Sequence, residues 1–220
     1  DAEQASQAAA TSERAALPAP ASPLWLALDG YAVVLDFSMP VVGDPRTVND
    51  GFLEQIQLNA GALMDKLGEL GSVDLRRVAI GGQSYGAFMA ANLLAHTKLF
   101  KAGIARSGAY NRTLTPFGFQ SERRSLWEAR DVYLRLSPLI SANQIKEPLL
   151  LLHGEKDSQP GTPALQSERM FHALAGLGTA TRLVLLPLEG HALVSREAVG
   201  HVQWEMSSWL RRHLGAPPGR

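Results

Sequence analysis

Short, solidly apolar runs alternate along this chain with stretches whose apolar residues recur every three or four positions, and that alternation narrows the fold more than any other feature. Residues 31–36 (YAVVLD), 77–81, 102–107, 148–152 (PLLLL) and 182–186 (RLVLL) read as strands apolar on both faces. Between them, Ile56, Ala60, Leu63, Met64, Leu67 and Leu70 repeat at helical spacing over residues 50–70 and stop at Gly71, which suits a helix C-cap. Residues 88–96 continue as a buried helix, and Thr162-Pro163 reads as a helix start. A last helix presents Val199, Val202, Met206, Trp209 and Leu210 on one face. Strands apolar on both sides need cover on both sides, so the expectation is an α/β fold with a mostly parallel sheet and helices on both faces.

At 220 residues, 45% hydrophobic and 19% charged, there is material for one sizeable core. Residues 1–22 read as an Ala-rich linker or surface segment, 23–214 as the domain and 215–220 as a tail. The formal charge is zero, which argues against nucleic acid or an acidic membrane surface as partner. No apolar run approaches the roughly 20 residues that span a bilayer. Without cysteine there are no disulfides, thiolate metal sites or thiol nucleophiles, and the compartment of a soluble protein, cytoplasmic or exported, stays open. No metal or organic cofactor is expected, since no histidines and carboxylates fall at ligand spacing. The sequence starts at Asp1 rather than Met and opens on no charged-then-apolar pattern, so the chain is expected to be a piece of a longer polypeptide.

The stretch Gly81-Gly82-Gln83-Ser84-Tyr85-Gly86 places a serine between glycines, directly after a strand and at the opening of a helix. G-x-S-x-G alone is a weak signal, but that position is what a nucleophile elbow requires: a strained serine at a sharp strand-to-helix turn, with Gly82 and Gly86 leaving room. The first free N–H of the helix, that of Tyr85, is placed to meet a developing oxyanion. A serine hydroxyl needs a base and the base needs an orienting carboxylate. Of six histidines, His96, His172, His201 and His213 fall in helices, and His153 ends a strand, where its ring packs locally. His191, in Glu189-Gly190-His191, stands on a loop beyond the strand ending at Leu186, on the sheet edge where open α/β folds build sites. Asp157 lies similarly past the strand 149–152, with Glu155 as rival and Asp131 harder to bring to the site. The order Ser84, Asp157, His191 is that of α/β hydrolases.

These residues carry a resemblance. Ser84-Tyr85-Gly86-Ala87-Phe88-Met89, Ser137-Pro138 and His153-Gly154-Glu155-Lys156-Asp157 resemble the catalytic domain of the prolyl oligopeptidase family of serine peptidases. The segments ANLLAHT, AGIARSGAYNRTLTPFGFQSERRSLWEA and HGEKDSQPGT are similar to its glutamyl endopeptidase branch, over about residues 22–210. The resemblance implies an α/β-hydrolase fold, a peptide substrate cleaved after glutamate, and an N-terminal β-propeller in the longer chain. Arg130, and Gly190-His191-Ala192 for a more usual Ser-His-Gly, depart from the pattern without removing a catalytic atom. A larger departure lies at the start. Residues 31–36 correspond to the fourth strand of that fold, and nothing before Ser22 reads as the third, whose loop in relatives supplies a tyrosine hydroxyl to the oxyanion. With the N-terminal strands missing, the strand that carries Ser84 would have an unpaired neighbour position, and the 220-residue piece is expected to be inactive or unstable by itself.

Selecting a glutamate requires a cation near the nucleophile. Arg112, Arg123 and Arg124 are the candidates, with Arg112 in Tyr110-Asn111-Arg112-Thr113 preferred; a solvated basic loop is the other reading of each. Phe117, Phe119, Trp127 and Tyr133 are candidates for the pocket wall, with core packing the other reading and the expected one for most of them. Besides a peptidase, the sequence allows an acyl-peptide or small-ester hydrolase, or an inactive hydrolase-fold domain.

Overall fold

A computed structural model describes residues 21–35 and 37–216. Residues 1–20 and 217–220, and with them most of the linker and tail expected from the sequence, lie outside the described residues. Four strands, β1 (Ala79–Gln83), β2 (Ala102–Arg106), β3 (Leu149–Gly154) and β4 (Thr181–Leu186), form one sheet in the order β1-β2-β3-β4, every neighbouring pair parallel. Among the described residues five α-helices accompany it: α1 (Phe52–Leu70), α2 (Tyr85–His96), α3 (Arg130–Arg135), α4 (Leu165–Gly176) and α5 (Arg196–Leu214).

The uninterrupted leucines of β3 are explained by the strand's period of two. Leu149 and Leu151 enter a core built with α1, α2 and α4, whereas Leu150 and Leu152 enter a second core against α5 and the short 3-10 helix Pro23–Asp29. All four are fully buried. At roughly 1.5–3 kcal/mol for each buried leucine, a polar residue at any of them is selected against from either side of the sheet. Helix α1 packs Phe52, Ile56, Ala60, Met64 and Leu67 inward and ends at Gly71, whose φ of 67° closes the helix as a left-handed cap.

Two expectations are corrected. Residues 31–35 and Phe37 form no strand: Val34, Leu35 and Phe37 are exposed, and Tyr31 instead donates its hydroxyl to Gly215 O at 3.1 Å. A β-branched run becomes a strand only where another strand satisfies its backbone, and among the described residues the sheet ends at β1. Helix α4 begins at Leu165 rather than at Thr162-Pro163. The Thr162 hydroxyl does not cap it, because Asp157 and His191 occupy that oxygen.

Candidate active site

The elbow forms between β1 and α2. Ser84 has φ 56° and ψ −114°, a conformation costing a non-glycine residue about 1–3 kcal/mol. It is enforced from two directions: Ser84 N–H donates to Arg106 O at 2.8 Å, and Phe88 N–H donates to Ser84 O at 3.2 Å. The two motif glycines are not equivalent. A Cβ on Gly82 would stand 2.3 Å from the backbone carbon of Gly86, whereas a Cβ on Gly86 would meet nothing within 4 Å. The close approach therefore demands glycine at 82 and leaves position 86 free, a refinement of the symmetrical expectation.

Asp157 and His191 come together because β3 and β4 end side by side. Glu155 N–H donates to Leu186 O at 3.0 Å and Lys156 N–H to Glu189 O at 2.8 Å. Gly154 allows this contact, since a Cβ there would lie 2.3 Å from Gly190 O and 2.4 Å from Glu189 O. His191 Nδ1 is 2.7 Å from Asp157 Oδ2, and the Asp157 side chain is wholly buried. Facing a carboxylate, Nδ1 carries the ring's proton and leaves Nε2 as the basic nitrogen. Burial opposes the charge on Asp157, yet hydrogen bonds from His191 and from the Gln159 N–H, with the attraction of the His191 and His153 rings, hold its carboxyl below the ordinary value. Glu155, the rival acid, is exposed on the turn, and Asp131 lies in α3.

Ser84, Tyr85 and His191 line one cavity of about 440 Å³, together with Arg112, Phe119 and Thr162. Arg112 is 3% exposed, its guanidinium carbon 3.9 Å from the Phe88 ring centre and 4.6 Å from that of Phe119. Its Nε and Nη2 are buried without a hydrogen-bond partner among the described residues. Burial lowers its pKa to about 10, with Tyr85 acting weakly the other way, so the cation persists at neutral pH. The loop carrying it is held by Gln166, whose Oε1 accepts from Tyr110 N at 3.0 Å and Asn111 N at 2.8 Å. Arg124 is committed elsewhere, to Glu122 at 2.8 Å and Asp50 at 2.7 Å, and Arg123 is exposed; neither lines the cavity. Of the four aromatic candidates only Phe119 does so. Tyr133 packs edge-on against it in the core, and Phe117 and Trp127 are exposed on the outside of the loop.

Three further side chains that the sequence did not single out join this cluster. His153 is more than local packing: its Nε2 lies 3.0 Å from Asp157 Oδ2 and 2.9 Å from Thr162 O, and its Nδ1 lies 2.7 Å from Ser167 Oγ. The Thr162 hydroxyl reaches Asp157 at 3.2 Å. Gln83, beside the serine, reaches His191. The first was signalled by its place in His153-Gly154-Glu155-Lys156-Asp157; nothing in the sequence signalled the others' partners.

With this geometry in view, comparison with known proteins decides the lineage: a sequence model described as the prolyl oligopeptidase family matches residues 59–217. The chain belongs to the prolyl oligopeptidase family. It is 51% identical over 192 residues to a probable glutamyl endopeptidase, chloroplastic, of Arabidopsis thaliana, covering 86% of this chain and 20% of that protein. A probable glutamyl endopeptidase, chloroplastic, of Oryza sativa subsp. japonica is 50% identical with the same coverage, and the acylamino-acid-releasing enzyme of Mus musculus is 28% identical over 158 residues, 65% of this chain and 21% of that protein. Among solved structures, a puromycin hydrolase superposes with a TM-score of 0.65 at 26% identity, over 74% of this chain and 25% of its own. The Pyrococcus horikoshii acylaminoacyl peptidase gives 0.63 at 26%, over 76% and 29%. The fold is therefore that of the α/β-hydrolase domain of these serine peptidases, and this chain spans about a fifth of the length of the two plant relatives. Among the described residues no helix is long and apolar enough to cross a membrane.

Proposed function

We propose that this chain carries the catalytic centre of a serine endopeptidase that hydrolyses peptide bonds through an acyl-enzyme, cleaving after glutamate. Ser84 is the nucleophile, His191 Nε2 accepts its proton and returns it to the leaving amine, and Asp157 holds the ring and stabilises the imidazolium. The Tyr85 N–H, first of α2, is one oxyanion donor. The peptide enters the cavity that Ser84 and His191 share, and its glutamate carboxylate pairs with Arg112. The domain, residues 23–214, acts in a longer chain with an N-terminal β-propeller, as the resemblance implies.

One observation carries the reading: a buried guanidinium with two unpartnered nitrogens lines the same cavity as the strained serine and the aspartate-bound histidine. An unpaired buried cation is expensive, costing several kcal/mol, and a carboxylate ligand removes that cost on binding. The plant relatives named as glutamyl endopeptidases support the same choice.

The test uses an N-terminally extended form of the chain, with glutamyl peptides, peptides with a neutral residue in that place, acyl-peptides and aryl esters as substrates. Preference for glutamyl peptides, abolished by Ser84→Ala, is expected. The relatives named as acylamino-acid-releasing enzymes favour a second reading, and turnover of acyl-peptides with no glutamyl preference would establish it instead. No turnover of any of the four would point to an inactive hydrolase-fold domain.

A further inference from the structure

We propose that Gln83 is a positioning residue that registers the His191 loop against the nucleophile, an inference that rests on Ser84 and His191 acting as nucleophile and base. Gln83 ends β1 and precedes Ser84, so its place follows the elbow's own. Its side-chain Nε2 donates to the backbone oxygen of His191 at 2.9 Å. Its Oε1 accepts from Arg106 Nη2. A guanidinium has donors only, so Arg106 fixes which end of the amide faces it, and the NH2 end is thereby turned toward His191. Arg106 is held in turn, Nη1 donating to Ala21 O at 3.2 Å, while its own carbonyl accepts the Ser84 N–H.

The result is a closed circuit of named atoms. Arg106 bonds the backbone of the serine with its carbonyl and the glutamine beside it with its guanidinium, and the glutamine bonds the backbone of the histidine. The His191 loop is braced within itself and against the end of β3: the buried carboxylate of Glu189 accepts Val194 N–H at 2.8 Å and Ser195 N–H at 3.0 Å, and its carbonyl accepts Lys156 N–H at 2.8 Å. Asp157, after β3, anchors the ring of His191, and Gln83, at the end of β1, anchors its backbone. A mis-set base can cost on the order of 10²-fold in rate without altering substrate affinity.

The experiment compares Gln83→Met and Gln83→Glu with wild type in the extended form, reading kcat and KM on a glutamyl peptide, the rate of fluorophosphonate labelling, and the melting temperature. Gln83→Glu keeps an acceptor for Arg106 and loses the donor to His191; Gln83→Met loses both. Both are expected to lower kcat and labelling rate by about 10–100-fold, with KM close to wild type in both; the melting temperature should stay close to wild type in Gln83→Glu, which keeps Arg106 paired, and fall in Gln83→Met, which does not. Wild-type kcat in either variant, or losses that follow the melting temperature rather than the missing donor, overturn the proposal. Ser84→Ala and His191→Ala run alongside: wild-type turnover in those would overturn the underlying reading, whatever Gln83 does.

Discussion

His153 and Asp157 are hydrogen-bonded at 3.0 Å, at the same carboxylate oxygen that His191 reaches at 2.7 Å. One acid oxygen thus serves two imidazoles. His153 Nε2 faces two acceptors, Asp157 Oδ2 and Thr162 O, so it carries a proton; its Nδ1 then accepts from the Ser167 hydroxyl. Replacing His153 with leucine leaves the Thr162 carbonyl and the Ser167 hydroxyl buried without this partner. The expected cost is about 1–3 kcal/mol of stability, read by denaturant unfolding. Unchanged stability would show that His153 only fills space.

Acid should weaken the same cluster in two stages. Burial holds His153 below the ordinary histidine value of 6.5, so the unfolded chain binds its proton first and stability falls as pH drops below about that value. Asp157 is held below its ordinary 3.8, so its contribution is present above that value and is lost as pH falls further, through the lowered one. Unfolding free energy measured from pH 8 down to about pH 2 should decline in both windows, and His153→Gln should reduce the upper decline, to which His96 and His213, also held low by burial, contribute, while leaving the lower one.

Arg112→Ala should depress kcat/KM on glutamyl peptides by about 10²-fold or more, the scale of a lost charge-assisted hydrogen bond in a dry site. Turnover of a small neutral ester should be spared. Equal losses on both substrates would mean that Arg112 supports the loop rather than the substrate, through its packing between Phe88 and Phe119.

The unequal glycines of the elbow give a stability contrast. Gly82→Ala forces a Cβ into the backbone of Gly86 and should destabilise the protein by several kcal/mol. Gly86→Ala adds a methyl in open space within α2 and should gain about 0.5–1 kcal/mol through helix propensity. Thermal melts of the two variants decide it, and similar losses in both would contradict the contact geometry.

What the sequence made legible follows from where the physics is local. The leucine run of β3 announced a strand buried on both faces, because each side chain is apolar whichever core it enters. Residues 31–36 announced a strand with equal force, but a strand also needs a partner, and pairing is not written in the run itself. Positions of Ser84, Asp157 and His191 after strand ends brought all three to one edge of the sheet. The arginines could not be separated in the same way: Arg112 and Arg124 share a loop and a charge, and only folding shows that Glu122 and Asp50 occupy one while Phe88 and Phe119 enclose the other. Gln83 was invisible for a related reason, since its partners lie 23 and 108 residues away.

Covalent labelling by a fluorophosphonate, with the modified residue located by mass spectrometry, tests the central claim most directly. In the extended form, Ser84 should take the label stoichiometrically, Ser84→Ala should take none, and His191→Ala should slow labelling by several orders of magnitude. Labelling at another serine, or at Ser84 with undiminished speed when His191 is gone, would contradict the account.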